Sequence, residues 1–315
     1  MITDFREARA RLAGKRRSSA DKLVGLPEAA ALVHDGDVIG VGGCLYSRTP
    51  MAALFEILRG SPRDLTLARS LTCYEAELFL VRGAVSTIVT SWMGIGIPWG
   101  ISKILRHYVE GGSAAYQEWS HLGMGLRFQA AAMGLPYLPT TSMLGSDLVR
   151  VNDVRVADDP FTGQPLCLVP ALYPDVALIH VHRADPGGDS QISGYPFMDR
   201  EIAAAAQTVI VTAEEIVSPE EIARTADATV IPGFLVDAVV QVPFGAFPHE
   251  CYGRYEADFA HFDAYVQAAE QGPEGVERYL AEHLDAPGTF AGFLEQMGQD
   301  VLRAQTEKAA RLVGG

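Results

Sequence analysis

Basic residues are scarce in this 315-residue chain: 25 Lys and Arg stand against 39 Asp and Glu, a net charge of −14. Polyphosphate partners need a basic surface, so nucleic-acid binding is excluded as the main role. If a phosphate-bearing cofactor is used, another chain is expected to hold most of its phosphates. The one basic cluster, Arg6 to Lys22, reads as a solvated helix or arm rather than a binding patch. Cysteine is sparse as well. Cys44, Cys73, Cys167 and Cys251 are far apart and lack metal-type spacing, which points to a reducing cytoplasm and not to a disulfide scaffold. No run is long and apolar enough to span a membrane. The start, Met1 to Arg6, has no apolar signal-peptide core. No internal repeat or low-complexity tract is evident.

The glycine-rich stretch Gly40-Val41-Gly42-Gly43 lacks the third glycine of the dinucleotide fingerprint. A nicotinamide cofactor is therefore not expected, nor is any other permanently bound cofactor or metal. Gly187-Gly188-Asp189 resembles a phosphate-cradling turn but is too short to be specific.

What is present is an alternation of strand and helix signals. Strands are expected at Val38–Val41, Leu65–Ala68, Val85–Thr90, Cys167–Val169, Val176–Val181, Thr208–Thr212 and Ala238–Val242. Helices are expected at Leu26–Val33, Met51–Arg59, Leu122–Met133, Arg200–Ala206 and Pro219–Ala223. The pattern predicts an α/β fold: an open, largely parallel sheet with helices on both faces, followed by a helical extension from Phe259. Gly272-Pro273 and Pro287-Gly288 break that extension. Ligands in such folds sit at the carboxyl ends of strands, where Gly42-Gly43 falls. Glycines there let a ligand approach and leave N–H groups for a developing negative charge. A nucleophile should stand beside such a site, and no convincing one follows. The chain thus reads as half of an active site.

Other candidates carry two readings each. His180 and His182 share one strand face, as metal ligands or as polar side chains at a strand end. The lack of a third ligand favours the latter. Glu214 and Glu215 follow a strand and are candidate carboxylates, whereas Ser218, Pro219 and Glu221 read as a helix cap. His121 stands where a helix begins and can donate a hydrogen bond or move a proton.

Four segments together resemble the alpha subunit of glutaconate CoA-transferase, a class I CoA-transferase. They are Asp35-Gly36 through Gly42-Gly43 to Pro50, Ala130 to Pro139, Glu214 to Ser218, and Val236-Asp237 through Pro243 to Gly253. The resemblance runs from about Gly25 to about Tyr265. It implies an N-terminal arm (1–24), a CoA-transferase alpha-subunit domain (25–258) and a helical C-terminal extension (259–315). It also implies a homologous beta subunit in an A2B2 or related heteromer, located in the cytoplasm. The substrate would be a coenzyme A thioester, exchanging CoA with a carboxylic, expectedly dicarboxylic, acid.

In the family the second subunit supplies the nucleophile, a glutamate in a Ser-Glu-Asn-Gly motif that this chain lacks. That glutamate attacks the thioester, and the resulting anhydride becomes a glutamyl-CoA thioester, which an acceptor carboxylate then opens. The first subunit would wall the acyl pocket, with Gly42, Gly43, Cys44, Arg48, Ser70 and Ser146 as substrate-binding candidates.

Arg48 is expected either to anchor a distal carboxylate in bidentate fashion or to form a structural salt bridge. The signature usually carries Phe where this chain has Cys44, which widens the pocket or supplies a thiol nucleophile. His121 falls where transferases tend to place a glutamine that donates to the thioester oxyanion. Because His also takes up protons, a carbon–carbon hydrolase of the steroid ring-cleaving type, or a decarboxylase, is the alternative on the same scaffold. A third possibility is a non-catalytic subunit that only completes its partner's pocket.

Overall fold

Near-continuous apolar runs along the central strands produce a sheet buried on both faces. In the computed structural model, which describes residues 4–15, 17–152 and 154–313, the strands are β1 (Val38–Val41), β2 (Leu65–Ala68), β3 (Val85–Thr90), β4 (Ala115–Glu118), β5 (Val176–Ala184), β6 (Ser190–Gln191), β7 (Thr208–Ile216), β8 (Thr229–Ile231) and β9 (Ala238–Gln241). They form one nine-stranded sheet. Its parallel body runs β9-β7-β5-β1-β2-β3-β4. Strands β6 and β8 extend the carboxyl end of β5 in antiparallel fashion. The chain leaves β1 in one direction through β4, then returns at β5 and builds outward on the other side. The boundary between β1 and β5 is therefore the topological switch point.

Ile39, Val41, Leu67, Ile88, Leu178, Ile210 and Val240 pack on one face, against Leu54, Phe55 and Leu58 of the helix Met51–Gly60. Val38, Val89, Ala177, Ile179, Val209, Val211 and Val239 pack on the other. There they meet Met124 and Phe128 of the helix His121–Ala132 and Ile202 of the helix Asp199–Ala205. Each such side chain contributes roughly 1.5–3 kcal/mol by leaving water. Gly40 lies on this second face because a Cβ there would come within 2.7 Å of Ile202 Cγ2 and 3.0 Å of Pro174 Cγ. The glycine lets a helix sit close on β1.

Several expectations shift. Glu214 and Glu215 lie inside β7 rather than after it. The Cys167–Val169 strand belongs to a separate antiparallel sheet of Tyr137–Thr140, Pro165–Pro170 and Arg155–Asp158. Its edge strand tolerates Pro139, as edges do. Strand β4 and the helices Glu75–Val81 and Lys103–Glu110 were not foreseen.

The basic N-terminal segment is not a solvated arm throughout. Lys15 Nζ donates to Leu235 O at 2.6 Å and pairs with Asp237 at 2.7 Å. Lys22 Nζ is held by the carbonyls of Ser18, Gly187 and Gly233. Burial lowers the pKa of both ammonium groups. Met1–Thr3 and Arg16 lie outside the described residues.

The C-terminal helices Phe259–Ala269, Pro273–Leu280, Phe290–Met297 and Gln299–Val313 pack on the core. Phe262, Tyr265, Tyr279, Leu280 and Phe293 share one buried cluster with Ile39 and Leu67. No helix among the described residues is long and apolar enough to cross a membrane.

Candidate active site

The loops leaving β2, β3 and β4 at their carboxyl ends bring Ser70, Ser91 and His121 together. Ser120 caps the helix His121–Ala132, its Oγ accepting from Gly123 N–H at 2.9 Å. The cap makes His121 the first helical residue, exposed at the rim of the sheet. His121 Nδ1 lies 2.9 Å from Ser70 Oγ and 3.5 Å from Ser91 Oγ. Ser70 is itself fixed, because its carbonyl accepts from Ser91 N–H at 3.0 Å, Thr90 Oγ1 at 3.1 Å and the Ser91 hydroxyl. The Ser91 hydrogen is thus spent on Ser70 O, so Ser91 Oγ meets the imidazole only as an acceptor. The Nδ1 edge faces this serine pair, while Nε2 makes no hydrogen bond among the described residues.

The glycine turn after β1 does something other than expected. Gly42 N–H donates to Leu178 O at 2.8 Å, Gly43 N–H to Asp199 Oδ1 at 2.7 Å, and Cys44 N–H to Ser47 O at 2.9 Å. None is free for an oxyanion. Gly43, at φ +67°, is required sterically: a Cβ there would meet Ser47 O at 2.1 Å. These glycines fold the turn onto Asp199 instead of presenting amides to a ligand.

Asp199 also answers the question posed by Arg48. The Arg48 guanidinium is buried. It bonds Asp199 Oδ2 at 2.5 Å, His180 O at 3.0 Å and Tyr195 O at 2.8 Å. The salt-bridge alternative is the one this fold holds, and the expected carboxylate anchor is corrected accordingly. Arg48 still forms the floor of a cleft walled by Tyr195, Phe197 and Tyr252, with Ser47 and Glu250 beside it. Burial raises the Glu250 pKa there.

The remaining candidates separate. Cys44 is half-buried, and desolvation pushes its thiol up, the opposite of what an activated nucleophile needs. Ser146 Oγ donates to Met143 O at 2.7 Å, closing its own turn. It makes no hydrogen bond to Ser70, Ser91 or His121 among the described residues.

His180 and His182 are both internal. His180 contacts Thr212 Oγ1 at 2.9 Å and Glu214 Oε1 at 2.7 Å. His182 Nδ1 accepts from Ser193 N–H at 3.1 Å while Nε2 donates to Tyr252 O at 2.8 Å, and burial pushes its pKa down to about 4. Burial raises the Glu214 pKa, but hydrogen bonds from His180, Tyr255 and Phe244 N–H outweigh it and hold the group below its ordinary value. Glu214 thus ties β5, β7 and the 244–255 segment together.

Sequence reading missed Ser91 and Asp199. Asp199 carried a helix-start signal, but nothing in linear order ties it to Arg48 or Gly43.

The chain is similar to known proteins over most of its length. The Coenzyme A transferase family matches residues 25–242. The alpha subunit of glutaconate CoA-transferase from Acidaminococcus fermentans is 37% identical over 267 residues, covering 79% of this chain and 83% of the relative. The crystal structure of glutaconate coenzyme A-transferase from the same organism superposes with a TM-score of 0.83 at 34% identity, covering 89% of this chain and 94% of that one. An uncharacterized protein of Archaeoglobus fulgidus is 36% identical over 286 residues, 90% of this chain. This chain spans only 64% of that relative's length. A variant of the decarboxylase AibA/AibB superposes with a TM-score of 0.73 at 32% identity, covering 82% of this chain and 98% of that one.

Proposed function

The chain belongs to the coenzyme A transferase family, and from that premise we propose that it is the alpha subunit of a heteromeric CoA-transferase. In this reading CoA moves between an acyl-CoA and a carboxylic acid through a glutamyl-CoA thioester on a homologous beta subunit. The glutaconate relative, and no longer Arg48, brings a dicarboxylic acyl group into the proposal. An A2B2 or related assembly in the cytoplasm belongs to the same proposal.

The observation that carries the reading is the Ser70–His121 pair at the carboxyl end of the sheet, 2.9 Å between Oγ and Nδ1. When the partner's carboxylate attacks the thioester, the carbonyl oxygen takes up negative charge. The glycine amides are already bonded inside the turn, so another donor is needed. If Ser70 donates to Nδ1, the proton resides on Nε2, and Nε2–H is that donor. A well-placed oxyanion donor is worth about 10²–10³ in rate. The acyl-glutamyl anhydride then forms as CoA thiolate leaves. The thiolate displaces the carboxylic acid, and the acceptor carboxylate reverses the sequence.

A second reading is favoured by Ser91. Its Oγ accepts only, 3.5 Å from Nδ1, and so it supports a proton on Nδ1. Nε2 then bears a lone pair and acts as a base, the chemistry of a hydrolase or decarboxylase with His121 as acid/base. Similarity to the decarboxylase AibA/AibB supports this reading.

One experiment separates the two. The complex co-purified with its natural partner is assayed with acyl-CoA, with and without an acceptor acid, as wild type, His121→Gln and His121→Ala. For transfer, turnover requires the acceptor, kinetics are ping-pong, and Gln retains most of the rate that Ala loses. For acid/base work, turnover proceeds without acceptor, and Gln is as poor as Ala, about 10²–10⁴ down. Equal rates in all three would remove His121 from the chemistry and leave the non-catalytic subunit.

A further inference from the structure

Two buried clusters share the same donor set. One is Cys73, Glu75 and His249, and the other is His180, Glu214 and Cys251. In each, the potential ligand atoms lie within 4.8 Å of one another. They differ in how the imidazole is satisfied. His180 uses both nitrogens, on Thr212 and Glu214. His249 is 0% exposed, and neither Nδ1 nor Nε2 has a hydrogen-bond partner. A buried polar group left unpaired costs about 1–3 kcal/mol, so an orphaned imidazole beside a thiol and a carboxylate needs a reason.

The surroundings suit a cation. Cys73 and Glu75 are as buried as His249. Glu75 is already oriented: Arg69 Nη1 bonds its Oε1 at 2.6 Å, and Cys73 N–H reaches both of its oxygens at 2.9 and 3.0 Å. Metal-ligating carboxylates are commonly held by such outer partners. Burial, with the nearby Arg69 cation, holds the His249 pKa well below its ordinary value, which keeps the ring in the neutral form that binds metals. Thiolate, carboxylate and imidazole are the donors zinc accepts.

We propose that Cys73 Sγ, the Glu75 carboxylate and the His249 imidazole form a structural site for a divalent cation of the zinc class. Binding forms three coordinate bonds and releases the Cys73 thiol proton to solvent. The two anionic donors balance the cation, while Arg69 stays beyond Glu75. The ion would tie the 244–255 segment to the loop after β2 that carries Ser70. The ligands are 174 residues apart between Glu75 and His249, so no spacing motif announces the site. The His180 cluster, whose imidazole is satisfied, is predicted to stay empty.

The test is metal content of the full chain, purified without chelators in complex with its partner, followed by Co²⁺ exchange. About one zinc per chain is expected, with a thiolate–cobalt charge-transfer band on exchange. Cys73→Ser should abolish that band, and His249→Phe, which keeps the ring contacts with Tyr74 and Phe262, should lose the metal. Cys251→Ser should keep both. Folded wild-type protein with no metal and no uptake of Co²⁺ overturns the proposal without any variant and leaves His249 satisfied by its ring contacts alone. Metal that survives both Cys73→Ser and His249→Phe, or that is lost only in Cys251→Ser, overturns it equally.

Discussion

The two sides of the sheet, which meet at β1 and β5, treat their polar residues in opposite ways. On the β5–β7–β9 side, Arg48, Asp199, His180, His182 and Glu214 are internal and mutually bonded. On the β2–β4 side, the Ser70–His121 pair opens to the rim. Both groups sit near carboxyl ends of parallel strands, where ligands are expected. Position in the fold therefore does not separate a structural residue from a chemical one. What separates them is whether each polar atom finds its partner inside the chain. At the switch point itself the Arg48–Asp199 pair supplies the floor of the crevice, and the open imidazole lies over the neighbouring strands.

Breaking the closed side should give the largest effect. Asp199→Ala leaves Arg48 buried without its anion and frees Gly43 N–H. It should cost about 3–5 kcal/mol in denaturant unfolding. A loss below about 1 kcal/mol would show that the closed side does not depend on this pair.

The next effect is a gain, from the one ill-satisfied carboxylate beneath the open side. Glu77 accepts from Tyr265 OH at 2.6 Å, but its Oε1 is unpartnered. Burial raises its pKa from 4.5 to about 7. Between those values the folded chain keeps a proton that the unfolded chain has lost, so stability falls as pH rises through this window. The full shift corresponds to roughly 3 kcal/mol at most. Glu77→Gln should recover much of that at pH 8 and little at pH 4. Equal melting shifts at the two pH values would contradict it.

On the open side, Ser70→Ala should cost about 1 kcal/mol or less in stability but lower kcat/KM of the assembled enzyme about tenfold. The pH dependence of kcat should move as well, since Ser70 biases which imidazole nitrogen holds the proton. A rate loss without any change in the pH profile would make Ser70 a packing residue. The smallest effect belongs to Ser146→Ala. Its hydroxyl bonds only within its own turn, and the rate should stay within about twofold of wild type. A loss as large as that of Ser70→Ala would return Ser146 to the substrate pocket.

Much of the fold was legible because its signals are local. β1 to β3 are bounded as expected, and the Ser218–Glu221 capping box forms as read. Strand β4 was not legible: Ala115-Tyr116-Gln117-Glu118 is a polar edge strand, with no alternation to detect. At the site, Ser70 and His121 could be nominated separately, but their contact spans 51 residues. The Gly42-Gly43 turn was placed correctly and assigned the wrong task, because the carbonyl and carboxylate that consume its amides arrive from Leu178 and Asp199.

The amino-acid sequence by itself determined the strand and helix periods, the caps, the two-faced parallel sheet and the family, since each rests on residues close in the chain. Only the tertiary structure decided which polar groups are spent and which are open. That depends on strand register and burial between segments over a hundred residues apart, where an ion pair such as Arg48–Asp199, 151 residues in separation, closes one candidate site and leaves His121 exposed at another.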